Sequence, residues 1–360
     1  MSSSKIAMIT NIPSPYREET HILLHEKLKN NYSVYYCAKD EPNRMWKIGN
    51  NDYNKTFLKK SILKFKKKTI YLNLDIIKEL NNYNPDVIIT AGFNPTMLLS
   101  FLWAKFRNKK HIAFTDGTVD SEKSLGKIHR WVRKFVFRYT DGFIGASKKS
   151  LELYATYEIR KEKMFLSPLC INNELYKQTK GIQKKYDIIY SAQFIDRKMP
   201  FFFINVVKLI SDSIPCKVIL IGSGELKEKM LKRLEELNID YSYPGYIQQE
   251  QLPLIYGSAK ILLFPTKFDA WGIIANEACA AGIPVITCEN AGAANELIIN
   301  DYNGYVLPLD EKIWAQHVIK VLSDVSLYKK LSDNAVISVR KFNYENAIAG
   351  VLNAIDFVKI

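Results

Sequence analysis

The chain has 360 residues, 47% of them hydrophobic, 24% charged and 12% aromatic, a balance that excludes a disordered, collagen-like or disulfide-stapled protein and suits two domains. Its net charge of +14 is unevenly placed: residues 1 to 180 hold 32 Lys and Arg against 17 Asp and Glu, whereas residues 181 to 360 hold 19 against 20. A uniformly basic nucleic-acid coat is therefore disfavoured, and the first half is expected to meet an anionic partner.

The first half predicts strands at Ile6 to Thr10, Tyr32 to Cys37, Val87 to Thr90, Ile112 to Thr115 and Phe143 to Gly145. The second predicts them at Ile188 to Ser191, Val218 to Ile221, Ile261 to Phe264, Val285 to Thr287 and Tyr305 to Leu307. Short apolar strands alternating with helix-length amphipathic segments imply parallel α/β layers, and hence two successive doubly wound domains. The Lys-rich stretch around 172 to 186 is the expected boundary, giving domains 1–178 and 179–343. In such sheets ligands belong at the carboxyl ends of the strands, in the crevice between domains that face each other.

Five scattered cysteines (Cys37, Cys170, Cys216, Cys279, Cys288) form no C-x-x-C, which fits buried thiols in a reducing cytoplasm rather than a zinc site or a disulfide framework. No apolar run approaches the roughly 20 residues of a spanning helix, and no signal-peptide pattern precedes the first strand. Asp-x-Asp, P-loop and G-x-S-x-G motifs are absent, so no metal is expected.

The stretch from Phe264 to Ile286 reads as strand, loop, helix and strand, with Asp269 just before the helix, Glu277 inside it, and Trp271, Gly272 and Ile273 at its start. A carboxylate, a close-approach glycine and free helix N–H groups can together hold hydroxyls and phosphate. The plain alternative is a helix-capping Asp269 and a solvated Glu277. Gly222 and Gly224 lie in a Gly-rich turn after a strand, which suits either a nucleotide or any tight strand-to-helix connection.

The pair Asp269 and Glu277, spaced as acid-x7-Glu and followed by Gly282-Ile-Pro-Val, resembles the E-x7-E signature of the family-4 retaining glycosyltransferases of the GT-B fold. Leu220 to Leu226, Gly245-Tyr-Ile247, Leu254-Ile-Tyr256 and Asn303-Gly-Tyr305 resemble that family's successive landmarks. The resemblance implies two facing Rossmann-like domains, with the final helix, 344–360, packing back on the first. It also implies that Glu277 receives ribose hydroxyls, Asp269 receives hydroxyls of the donor sugar, and Tyr246 and Ile247 frame the nucleobase.

Ile188 to Lys198 resembles the family's phosphate-binding strand and loop, with Lys198 as the cation. Gln193 stands where an Arg is usual and Ala192 where a Gly is usual, which leaves Arg197 to compensate. A helix N-terminus contributes only about half a positive charge against a leaving diphosphate, so a full cation is needed. In the first half Ser14, Tyr16 and Arg17 follow the first strand, Asn94 the third and Asp116 the fourth, and these are acceptor-side candidates. Asp116 lies about where relatives carry a His near the reacting sugar, which makes it a catalytic candidate, acceptor-orienting or transition-state-stabilising; a turn Asp is its bland reading.

Two basic segments complete the reading. Leu58 to Lys68 carries six lysines among apolar residues, including Lys64, Lys66, Lys67 and Lys68. In Lys127 to Tyr139, Ile128, Trp131, Val132, Phe135 and Tyr139 share one helical face, away from Lys127, Arg130, Lys134 and Arg138. Taken alone, that stripe is expected to pack on the sheet; with the charge of the whole half, contact with an anionic membrane is favoured.

The expectation is a retaining, metal-independent transferase that uses a UDP- or GDP-linked sugar. Its acceptor is a lipid-linked saccharide of surface-polysaccharide or O-antigen assembly, at the inner, cytoplasmic face of the cell membrane. A soluble transferase acting on protein or a small sugar, and a non-catalytic nucleotide-sugar binder, are the alternatives.

Overall fold

The computed structural model describes residues 4–41, 52–59, 62–65, 68–123, 125–177 and 181–359. Two compact units result: 1–169 together with 344–360, and 170–343.

The first unit runs β1 (Ile6–Thr10), α1 (Pro15–Leu28), β2 (Tyr32–Tyr36), β3 (Lys55–Phe57), β4 (Ile62–Phe65), β5 (Lys68–Tyr71), α2 (Ile76–Tyr83), β6 (Val87–Ala91), α3 (Pro95–Phe106), β7 (Lys110–Thr115), α4 (Val119–Lys123), α5 (Lys127–Arg138), β8 (Gly142–Gly145), α6 (Lys148–Ala155) and β9 (Met164–Leu166). Seven parallel strands take the order β3-β2-β1-β6-β7-β8-β9. Strands such as Val-Ile-Ile-Thr-Ala are apolar without alternation because helices cover both faces of the sheet, and the central positions of β1, β2 and β6 are buried.

The second unit runs α7 (Asn173–Lys177), β10 (Tyr186–Ser191), α8 (Pro200–Ser211), β11 (Lys217–Ile221), α9 (Lys227–Glu236), β12 (Asp240–Gly245), α10 (Leu252–Gly257), β13 (Ala259–Phe264), α11 (Ile273–Ala280), β14 (Val285–Thr287), β15 (Gly304–Val306), α12 (Glu311–Ser323) and α13 (Val325–Val339). Its six parallel strands take the order β12-β11-β10-β13-β14-β15. Ile188, Tyr190, Phe203, Val218, Leu220, Ile261, Leu263 and Trp314 form the centre of its core.

α14 (Tyr344–Lys359) then returns to the first unit and packs on α1, β7, β8 and β9. Gly350 permits that contact, since a Cβ there would lie 1.9 Å from the Leu166 carbonyl oxygen. The Ser167 hydroxyl donates to the Ala347 carbonyl at 2.8 Å.

One expectation is corrected, and two features were not foreseen. The division falls after Leu169, ahead of the Lys-rich stretch, because α7 packs on α10 and α11 of the second unit. β12 carries no apolar run: an edge strand that is only half-buried tolerates Asp-Tyr-Ser-Tyr-Pro-Gly, and Pro244 sits where a missing N–H costs little. The lysine-rich segment forms an antiparallel hairpin, β4 with β5; Lys60, Ser61, Lys66 and Lys67 lie outside the described residues. All five cysteines are buried and free. Among the described residues no helix is long and apolar enough to cross a membrane.

Candidate active site

Both sheets reverse direction once, and each reversal opens a crevice at the strand ends. In the second unit it lies between β10 and β13, which are neighbours although β11 and β12 extend to one side and β14 and β15 to the other. The loops leaving these two strands carry most of the expected donor residues. A 3-10 turn, Asp196–Lys198, follows β10, and it is clamped to the loop after β13. Lys267 Nζ holds Asp196 at 2.7 Å, and the Lys267 N–H donates to the Arg197 carbonyl at 2.8 Å.

Across that clamp Lys198 Nζ is ion-paired with Asp269 Oδ2. Arg197 Nη1 lies 3.7 Å from the same oxygen and donates to the Phe268 carbonyl at 2.6 Å. Asp269 Oδ1 accepts from the Trp271 N–H at 3.3 Å. The Lys198 and Asp269 side chains are only 11% and 16% exposed, so water screens their attraction poorly. Lys198 also stands over the Phe264 ring, 5.2 Å from its centroid. One carboxylate faced by two cations leaves an excess positive charge at the start of α11, where helix N–H groups add more.

Gly272 is the turn that aims α11. Its φ of 96° is in the left-handed region, and a Cβ would lie 2.2 Å from the Phe264 ring, so no other residue fits both demands. Four residues along the helix Glu277 is buried. Loss of water pushes its carboxyl up to about 7, and the neighbouring Tyr256 hydroxyl offsets only part of that. Tyr256 Oη is itself buried without a hydrogen bond of good geometry.

Other expected donor residues have different places. Trp271 is buried, its ring tilted against Phe342 and its Nε1–H donating to Asn276 Oδ1 at 2.7 Å; it is a core residue whose backbone N–H meets Asp269. Gly222 and Gly224 press on the 192–194 loop, where a Cβ would lie 1.9 Å from the Ala192 carbonyl oxygen and 2.4 Å from that of Phe194. Their smallness serves loop-on-loop packing, as the tight strand-to-helix alternative requires. Ile273 is half-buried at the first turn of α11, while Gln193, Tyr246 and Ile247 are half-buried in the loops after β10 and β12.

Sequence reasoning missed the Lys267–Asp196 clamp, Phe264 beneath Lys198, and the strut at 290–292. There the Asp269 N–H donates to the Asn290 carbonyl at 3.0 Å and the Gly292 N–H to the Asp269 carbonyl at 2.8 Å. The small-residue run Ala291-Gly-Ala-Ala294 was the available signal of a close approach.

In the first unit the reversal lies between β1 and β6. A cavity of about 220 Å³ opens at the strand ends, lined by Thr10, Ser14, Tyr16, Arg17, Gly92 and Asp116 among others. The Arg17 guanidinium lies over the Phe114 ring at 4.6 Å. Glu41 and His21 are among the lining residues that were not foreseen. Burial and the nearby Arg17 push His21 down to about 3, so its ring is neutral, with Nδ1 2.8 Å from the Tyr32 hydroxyl. Asn94 does not line the cavity: its Oδ1 caps α3 at the Met97 N–H, 3.0 Å away, and its amide donates to Asn11 Oδ1 at 2.7 Å.

Two doubly wound parallel units, the second with a cationic crevice at its reversal point, define the GT-B class of two-domain transferase folds. Residues 172–337 match the family model described as glycosyl transferases group 1. That region, nearly the whole second unit, matches the group 1 glycosyltransferases, which bears out the resemblance read from the sequence. The chain is similar to an uncharacterized 41.2 kDa protein of the Klebsiella pneumoniae cps region, 24% identical over 71% of this chain and 74% of that one. It is also similar to the poly(glycerol-phosphate) alpha-glucosyltransferase of Bacillus subtilis, 25% identical over 61% of this chain. The alignment spans 34% of that enzyme, and 47% of an uncharacterized glycosyltransferase of Methanocaldococcus jannaschii. Among solved structures, Anabaena HepE in complex with UDP and glucose superposes with a TM-score of 0.76 at 13% identity, over 98% of this chain and 99% of that one. WaaG, a glycosyltransferase involved in lipopolysaccharide biosynthesis, superposes with a TM-score of 0.68 at 16% identity, over 98% of this chain and 99% of that one.

Proposed function

We propose that the protein transfers a sugar from a nucleoside diphosphate to a hydroxyl of a lipid-linked saccharide, with the anomeric configuration retained. The observation that carries this reading is the ion pair of Lys198 with Asp269 at the start of α11, on the helix that buries Glu277. In the working cycle Lys198 exchanges Asp269 for the diphosphate, with Arg197 at its side. Asp269, released, accepts hydroxyls of the sugar, and the Glu277 carboxylate accepts those of the ribose. The buried Tyr256 hydroxyl beside Glu277 suits the same role.

The C–O bond to the diphosphate breaks as the acceptor oxygen bonds the same face of the sugar, and the departing phosphate oxygen takes the acceptor's proton. The protein supplies position and positive charge where negative charge grows, so the step needs neither a protein nucleophile nor a metal. The UDP in the HepE structure favours a uridine or comparable nucleoside diphosphate donor. The O-antigen chain mannosyltransferase B of Escherichia coli, 27% identical over 31% of this chain, and the cps-region protein favour a surface-polysaccharide acceptor. Such an acceptor places the enzyme at the cytoplasmic face of the cell membrane. The cavity between β1 and β6, with Ser14, Tyr16, Arg17 and Asp116, is the acceptor-side candidate.

The test is a thermal-shift titration with a panel of nucleotide sugars, followed by hydrolysis of whichever donor binds. Selective stabilisation with slow release of the nucleoside diphosphate is expected. A bound donor that is never turned over, even with lipid-linked acceptors present, points to a non-catalytic binder and overturns the proposal.

A further inference from the structure

Apart from half-buried Val132, the stripe on α5 does not pack into the core. The helix buries Val136 and Phe137, and it is anchored on its inner side by Arg133, which is ion-paired with Glu122 and lies 4.6 Å over the Phe93 ring. Its outer side leaves Ile128 77%, Trp131 69%, Phe135 42% and Tyr139 49% exposed. These rings contact one another, Trp131 stacked on Phe135 at 6.2 Å and Phe135 edge-to-face with Tyr139 at 5.3 Å, so the ridge is ordered though unburied. On α3, whose Phe101 ring meets Phe135, Leu102 and Phe106 are exposed as well. Leaving such side chains in water forgoes stabilisation that burial would supply, and four in a row on one helix mark a contact surface.

Beside the ridge is a cavity of about 300 Å³ lined by Lys134, Arg138, Arg160 and Lys163, with Glu158 as the one carboxylate. Among the described residues none of these four cations is in an ion pair. Positions 127, 130, 134 and 138 run along the helix next to the aromatic ridge, so the outer half of α5 is aromatic on one side and cationic on the other. An apolar ridge with Trp and Tyr, bordered by a cationic hollow, matches the layering of a bilayer surface: acyl boundary below, anionic headgroups above.

We infer that α5 is the membrane-docking element of this protein, seating Ile128, Trp131 and Phe135 at the acyl boundary while the Lys134–Arg138–Arg160–Lys163 cavity receives the phosphate of an anionic lipid. The inference gives the membrane part of the proposed function a specific surface. It is read without any glycosyl transfer, so its failure and that of the donor site are distinguishable.

The full chain is mixed with phosphatidylcholine vesicles, with and without phosphatidylglycerol, at low and high salt. Binding only to the anionic vesicles is expected, with a blue shift of tryptophan emission that Trp131→Phe removes. Lys134→Ala, Arg160→Ala and Lys163→Ala together should weaken binding roughly 100-fold. Ile128→Ser with Trp131→Ser should weaken it at least tenfold and leave donor-induced thermal stabilisation unchanged, which also checks folding. Equal binding to neutral vesicles, no binding to either, or anionic binding without the emission shift overturns the inference. So does RNA that displaces the vesicles, or self-association abolished by Trp131→Ser, each of which assigns the face to another partner.

Discussion

The two reversal points of the molecule share a topology and differ in electrostatics. Between β10 and β13 two short segments, 196–198 and 269–277, bring cations and carboxylates into mutual contact, and Lys198 is already satisfied by Asp269. Between β1 and β6 the cavity draws on separate segments after β1, on α1, and after β2, β6 and β7, and Arg17 lies over an aromatic ring. A site whose ligand carries a full diphosphate needs fixed charge held ready by an internal counterion. A site for a hydroxyl-bearing acceptor needs shape and hydrogen-bonding groups.

Replacing the cation should break this contrast most severely. Lys198→Ala removes the charge proposed to meet the leaving diphosphate, and a fall in kcat of about 10²- to 10³-fold is expected in single-turnover assays. A loss under threefold would remove Lys198 from the chemistry. Next is Gly272→Ala, which forces a Cβ into the Phe264 ring at a left-handed position. Strain and overpacking together should cost about 2–5 kcal/mol in a denaturant melt and abolish donor-induced stabilisation.

The third prediction uses the raised Glu277 carboxyl. Its folded value of about 7 lies above the unfolded value, so between about 4.5 and 7 the folded state holds the extra proton, and stability without nucleotide falls as pH rises through that window. If ribose hydroxyls are accepted by the carboxylate, nucleotide binding releases that proton. Affinity should then rise up to roughly tenfold per pH unit below 7 and level off above it, by calorimetry in buffers of different ionisation enthalpy. Glu277→Gln should flatten the profile, and an unchanged slope would place the titrating group elsewhere.

The smallest effects separate the first unit's cavity from its frame. Arg17→Ala should raise the acceptor KM about tenfold, corresponding to ~1.4 kcal/mol of lost contact, with donor hydrolysis unchanged. Asn94→Ala should cost about 1 kcal/mol of stability through the lost cap of α3 and leave KM alone. An acceptor effect as large for Asn94 as for Arg17 would mean that the cavity boundary is wrongly drawn.

The layout of both sheets and the second unit's group 1 identity were legible in the amino-acid order, because buried parallel strands are unbroken apolar runs and the Asp269–Glu277 spacing lies within one strand-loop-helix segment. Lys198 was legible for the same reason. Edge strands β3 and β12 were not, since a half-buried edge needs no apolar run. The pairing of Lys198 with Asp269 joins residues 71 positions apart, and only the packing of two adjacent strand ends decides it. Packing likewise decided that Trp271 is core, that Gly222 and Gly224 serve one loop against another, and that the stripe of α5 faces outward. A helical period states which residues share a face; which face is buried depends on the neighbours that tertiary structure supplies.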